Sequence, residues 1–151
     1  MLKQRILTAL ILIPLVVWGV LQLPTAKLAG VLAVLVLMGA WEWSRLIPLA
    51  SMAARAGYLV LAAAALAAAW MLAPSDRFVA VLLGVALLGW FAWLFWITRP
   101  ELGRAGGLAV ALVKGLMGLL VLIPAWLALV FLHSRADHGP ELVLFLMVLI
   151  W

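Results

Sequence analysis

Long apolar blocks with few or no charges fill this chain, and short polar stretches separate them. The blocks are Ile6–Leu23, Leu28–Ile47, Gly57–Ala73, Phe78–Ile97 and Leu108–Leu132. Each approaches or exceeds the roughly 20 residues that a helix needs to cross hydrocarbon. A sixth block, Leu142–Trp151, has about half that length. The pattern predicts an all-α integral membrane protein, a polytopic helix bundle of five complete spans and a truncated sixth. Pro14 and Pro124 fall inside the first and fifth blocks. Proline removes a backbone donor there and kinks a helix, which neighbouring helices tolerate in a membrane. Pro24-Thr25, Thr98–Gly107 and His133–Glu141 read as connections. The third block is alanine-rich, and small side chains let backbones approach, so it is expected to pack inside the bundle.

The charges divide the connections into two kinds. Lys3, Arg5, Arg45, Arg55, Arg99, Arg104 and Lys114 fall on one side, and Lys27, Arg77 and Arg135 on the other. The excess of lysine and arginine marks the cytoplasmic side. The amino end is then cytoplasmic, the sixth block runs inward, and anything beyond Trp151 emerges where nucleotides are available. Residues 1–151 are read on this basis as the N-terminal transmembrane region of a longer protein.

Composition narrows the classes of function. The chain is 70% hydrophobic and 10% charged, against about 45–50% and about 25% for soluble domains, so its solvent is lipid. It holds no cysteine, hence no disulfide framework or thiolate site. The net charge of +5 is spread as single residues at segment ends and forms no stripe, which argues against nucleic acid and for membrane lipids as partners.

Candidate chemistry is sparse. In Trp41-Glu42-Trp43-Ser44-Arg45-Leu46, Glu42 and Arg45 share a helix face. An anchor of two tryptophans and an ion pair at headgroup depth accounts for the string, and a binding role for Glu42 is the alternative. Lys114 either snorkels to the interface or reaches a lipid phosphate. Trp90, Trp93 and Trp96 with Phe91 and Phe95 read as an aromatic belt rather than a stacking platform. His133, Asp137 and His138 sit in a short outer loop without the register of a zinc motif, so no metal site is assigned. Ala111, Gly115 and Gly118 form a small-residue face suited to close helix packing, with a homodimer contact as one use. Gly103, Gly106 and Gly107 make a turn but no P-loop. Glu42, Arg45 and Lys114 remain as weak substrate-binding candidates, and no catalytic set is visible.

Leu2-Lys3-Gln4-Arg5-Ile6-Leu7-Thr8-Ala9, followed by Ile13-Pro14-Leu15, resembles the start of bacterial phosphatidate cytidylyltransferases. Trp41-Glu42-Trp43-Ser44-Arg45-Leu46 is similar to a Trp-Glu-Trp-Ala-Arg-Leu element of that family, with Ser44 in place of alanine. Lys114–Val121 resembles its glycine-containing helix, and Leu146–Trp151 the apolar run before its acidic segment. The strings keep the family's order along the whole chain. The resemblance implies transfer of a cytidylyl group from CTP to phosphatidate, giving CDP-diacylglycerol and pyrophosphate for phospholipid synthesis. It implies Mg²⁺, and a bacterial inner-membrane location. The family's acidic metal ligands and its basic, glycine-rich phosphate region lie in a C-terminal half that has no counterpart among these residues. No catalytic residue carries over, and residues 1–151 alone are expected to be inactive. A transporter or channel fragment, or a small membrane scaffold, are the alternatives that the residues leave open.

Overall fold

The computed structural model describes residues 2–99 and 107–150, with side chains from residue 10 onward. Lys3 and Arg5 as side chains, and Gly103, Arg104 and Gly106 altogether, lie outside the described residues. The helices in chain order are α1 (Leu2–Gln22), α2 (Thr25–Ser44), α3 (Met52–Leu72), α4 (Asp76–Ile97), α5 (Leu108–His133) and α6 (Gly139–Ile150), and no strand occurs among the described residues. The chain is a multi-pass, all-helical membrane protein. α2 to α5 are each long and apolar enough to cross a bilayer. The described side chains of α1 form a shorter apolar stretch, Leu10–Gln22, and α6 has 12 residues.

Helix boundaries follow capping chemistry, which hydropathy does not report. Ser51 caps α3 by accepting from Ala54 N at 3.1 Å, so the helix starts at Met52 instead of Gly57. Ser75 caps α4 by accepting from Phe78 N at 3.2 Å, and Asp76 in the first turn suits the positive end of the helix dipole. α2 ends at Ser44, short of Ile47. Arg45 N and Leu46 N tighten the end by donating to Glu42 O and Trp43 O. Pro48 disfavours a helical conformation at the residue before it.

The chain divides into two compact units. One comprises residues 1–31 and 129–151, where α1 packs against α6. His133 is placed here as the last residue of α5, only 6% exposed, and not in the outer loop. The reason is a local backbone deficit. Val20 O would take its helical hydrogen bond from residue 24, but Pro24 has no N–H. His133 Nε2 supplies it at 2.8 Å, and Nδ1 lies 2.9 Å from Thr25 Oγ1. A carbonyl can only accept, so Nε2 carries the proton and, in the neutral ring, Nδ1 accepts from the Thr25 hydroxyl. Gly139 closes the unit: a Cβ there would stand 2.6 Å from His133 O and 2.7 Å from Leu132 O.

The other unit, residues 32–128, is organised on α5. A third of the α5 span is buried (33%), against 17% for each of α2, α3 and α4. The alanine-rich α3 therefore does not lie inside the bundle. It buries one stripe, Tyr58, Ala62, Leu66 and Ala69, and leaves Val60 and Leu61 exposed. Small size alone gives no side chain for neighbours to grip. Ala40, Ile47, Tyr58 and Ala62 form the core, with Trp43, Ala111, Leu119 and Leu122 packed on it. Large apolar side chains elsewhere face outward, Leu88 (69%) and Phe91 (64%) among them. Such a surface suits hydrocarbon.

Candidate functional site

The distinctive polar geometry of the second unit lies where α2, α3 and α5 meet. Trp43, in the last turn of α2, donates its indole Nε1–H to Lys114 O at 2.9 Å. Tyr58, near the start of α3, donates its hydroxyl to Gly115 O at 3.2 Å. Two consecutive carbonyls of α5 thus each receive a side-chain donor from a different helix. These bonds tie α2 and α3 to α5 in a defined register.

Gly118 makes the approach possible. A Cβ there would meet Trp43 Nε1 at 2.5 Å and crowd Tyr58 Oη as closely. At Gly115 a Cβ would find ordinary contacts, 3.7 Å to Tyr58 and 3.8 Å to Ile47. The small-residue face read from the sequence is real, and the chain's own Trp43 and Tyr58 occupy it. Trp43 is partly buried, and its indole N–H is bonded to α5.

The three weak candidates behave differently. Glu42 and Arg45 form an ion pair at 3.3 Å, and both side chains are largely exposed (65% and 55%). Arg45 lies in the turn after α2. Exposed pairs of this kind contribute about 0–1 kcal/mol. Lys114 is the seventh residue of α5 and is partly buried, with its backbone carbonyl held by Trp43. Arg55, not singled out in the sequence, is also partly buried and lies one turn before Tyr58 on the packed stripe of α3. Its spacing of three from Tyr58 was the available signal.

The aromatic run on α4 fits the belt reading. Trp90 and Phe95 are exposed, Trp90 and Trp93 meet edge to face at 5.1 Å, and Arg99 stands 5.6 Å over Phe95. An apolar groove of about 310 Å³ lies among α3, α4 and α5, lined by Ala65, Ala68, Ala69, Phe78, Leu120 and Pro124 among others. The alanines of α3 thus form a groove wall.

Among the described residues, no group of three or more His, Cys, Asp or Glu side chains could hold a metal ion. Asp137 and His138 occupy the exposed connection before α6, and the third expected neighbour, His133, is spent on Val20 and Thr25. The described residues therefore do not fit the divalent ion that the resemblance implies.

Comparison with known proteins supplies what this geometry leaves unassigned. No solved structure matches the chain. It is 37% identical over 153 aligned positions to a protein named phosphatidate cytidylyltransferase from Pseudomonas aeruginosa, an alignment that covers 100% of this chain and 54% of the relative. The chain thus spans about half the length of that relative. The family model described as the cytidylyltransferase family matches residues 3–151, taking in α2 to α6 and the Trp43–Tyr58–Gly118 seam. A lipid-embedded helical bundle whose sequence fits that model from residue 3 to residue 151 belongs to the cytidylyltransferase family.

Proposed function

We propose that this chain is the N-terminal membrane portion of a CTP:phosphatidate cytidylyltransferase. The observation that carries the reading is the family match across residues 3–151. The 37% identity to a phosphatidate cytidylyltransferase supports the choice of lipid acceptor, and the 54% coverage of that relative supports a longer parent protein. In the reaction, a phosphate oxygen of phosphatidate attacks the α-phosphorus of CTP. The bond from that phosphorus to the bridging oxygen breaks, pyrophosphate leaves, and CDP-diacylglycerol remains in the bilayer.

The contribution of these helices is binding and orientation. Their apolar surfaces keep the protein in the lipid that holds both the acceptor and the product. The cation-rich end, with Arg45, Arg55, Arg99 and Lys114, faces the cytoplasm in this reading, which puts it on the side where CTP is found. A bacterial inner-membrane location with a cytoplasmic amino end follows. The family is generally metal-dependent. Mg²⁺ is the ion we propose, held by ligands other than the described residues.

Incorporation of radiolabelled CTP into chloroform-soluble lipid tests the reading. Membranes containing the natural full-length protein should incorporate label when phosphatidate is supplied, and release pyrophosphate in equal amount. Label that stays in the aqueous phase with phosphatidate and Mg²⁺ both present contradicts it.

A further inference from the structure

The seam gathers positive charge at one end of the second unit. Trp43 fixes the Lys114 backbone within hydrogen-bond reach of the last turn of α2. Two residues beyond Trp43, Arg45 lies in the turn that follows. Tyr58 fixes Gly115 against the first turns of α3, and Arg55 precedes Tyr58 by one turn on the same face. Lys114 precedes Gly118 by one turn of α5, on the face that meets Trp43 and Tyr58. Positions that carry cations on α3, on α5 and in the turn after α2 thus flank one seam, whose backbone spacing is set by the Trp43 and Tyr58 bonds to α5.

Two of these cations sit below the ordinary surface. Arg55 and Lys114 are both partly buried, and Lys114 is about 9 Å along α5 from Leu108. A cation in the body of a membrane helix is costly unless it is paired or hydrated. Among the described residues, Glu42 is the carboxylate at this end, and it pairs with Arg45. Among the described residues the seam therefore carries more positive than negative charge, with Lys114 and Arg55 partly buried beside an ion pair that is already satisfied.

We infer that Lys114 and Arg55, flanked by Arg45, bind the phosphomonoester headgroup of a lipid, and that this headgroup is the acceptor phosphate of the proposed reaction. The inference rests on the proposed function for the identity of the acceptor. A phosphomonoester carries close to two negative charges near neutral pH and three acceptor oxygens, which matches two or three converging cations. A phosphodiester headgroup carries one charge, and its polar substituent has to be accommodated at the same depth. The site therefore discriminates phosphatidate from phosphatidylglycerol. Lys114 and Arg55 act as binding residues that place the phosphate, and the seam residues Trp43, Tyr58 and Gly118 position them.

Lipid retention measured by native mass spectrometry tests this, with the protein in nanodiscs of phosphatidylcholine containing equal amounts of phosphatidate and phosphatidylglycerol and no CTP. The wild-type protein should retain phosphatidate about tenfold over phosphatidylglycerol, a difference of about 1.4 kcal/mol. Lys114→Gln and Arg55→Gln should each remove most of that preference, and Lys114→Arg should keep it. Arg99→Gln, exposed in the connection just after α4, should leave it unchanged. Equal retention of the two lipids by wild type, or a preference that survives both glutamine substitutions together, overturns the inference. So does an equal loss in Arg99→Gln, which would make the effect one of surface charge. Displacement of phosphatidate by inorganic phosphate or CTP at millimolar concentration assigns the cations to a soluble phosphate and overturns the lipid assignment. Because CTP incorporation is measured separately, a lost preference with incorporation intact rejects this site alone. Retained preference without incorporation rejects the reaction and leaves the site.

Discussion

At two places among the described residues a side chain of one helix bonds a carbonyl of another, and the two do so for opposite reasons. In the unit containing α1 and α6, Val20 O lacks a helical donor because Pro24 has none to give, and His133 repairs the deficit. At the α2–α3–α5 seam, Lys114 and Gly115 lie in an uninterrupted helix, so their carbonyls have helical partners and take Trp43 and Tyr58 as additional donors. The first contact completes the backbone. The second specifies which helices meet and at what height. A contact that repairs a missing bond should be costly to remove even where packing is preserved. A contact that adds a bond should be costly chiefly when the approach itself is blocked.

The largest expected effect comes from blocking the approach. Gly118→Leu drives a side chain into Trp43 and Tyr58 and should destabilise the protein by about 3 kcal/mol or more, the upper range for overpacking. Thermal unfolding in detergent, followed by tryptophan fluorescence, measures it; an unchanged midpoint would mean that the seam is not closed. Next comes His133→Leu, which keeps bulk but leaves Val20 O without a donor, at about 1–3 kcal/mol. Hydrogen exchange should locate the loss at the α1–α2 junction, around Leu23 to Leu28. If exchange there stays slow, the repair is unnecessary.

Trp43→Phe removes the indole donor and keeps a ring, so about 0.5–1.5 kcal/mol is expected, less than for His133→Leu. A larger loss for Trp43→Phe than for His133→Leu would reverse the comparison. Glu42→Gln breaks an exposed pair and should cost under about 1 kcal/mol, as judged by the same unfolding midpoints.

Much of the architecture was legible in the sequence because hydrocarbon imposes a simple requirement. The long apolar blocks had to be helices, since only internally bonded backbone survives there. What hydropathy could not report is where polar caps sit. Ser51 and Ser75 extend α3 and α4 beyond their apolar blocks, and the turn before Pro48 shortens α2. Small-xxx-small spacing found the face of α5, but no pattern says which partner fills it. The helix-to-helix bond of Trp43 had no signal in the sequence. Tryptophan is common at headgroup depth, so its position suggested an anchor, and no pattern shows that its indole N–H reaches across to another helix. His133 misled in a similar way: its neighbours Asp137 and His138 suggested a loop, and only the missing donor of Pro24 explains its burial. Arg55 escaped notice because a lone arginine at a segment end is ordinary, and its place on the Tyr58 stripe shows only once α3 is drawn as a helix.

The proposed reaction and the lipid phosphate site both depend on the cation-rich end facing the cytoplasm. The chain has no cysteine, so a single introduced thiol reports its own side of the membrane. Ala50→Cys, in the α2–α3 connection, and Pro74→Cys, in the α3–α4 connection, are both exposed positions outside the helices. A membrane-impermeant maleimide applied to intact cells should label Pro74→Cys at once and Ala50→Cys only after the inner membrane is permeabilised. Labelling of Ala50→Cys in intact cells, with Pro74→Cys protected, would contradict the account.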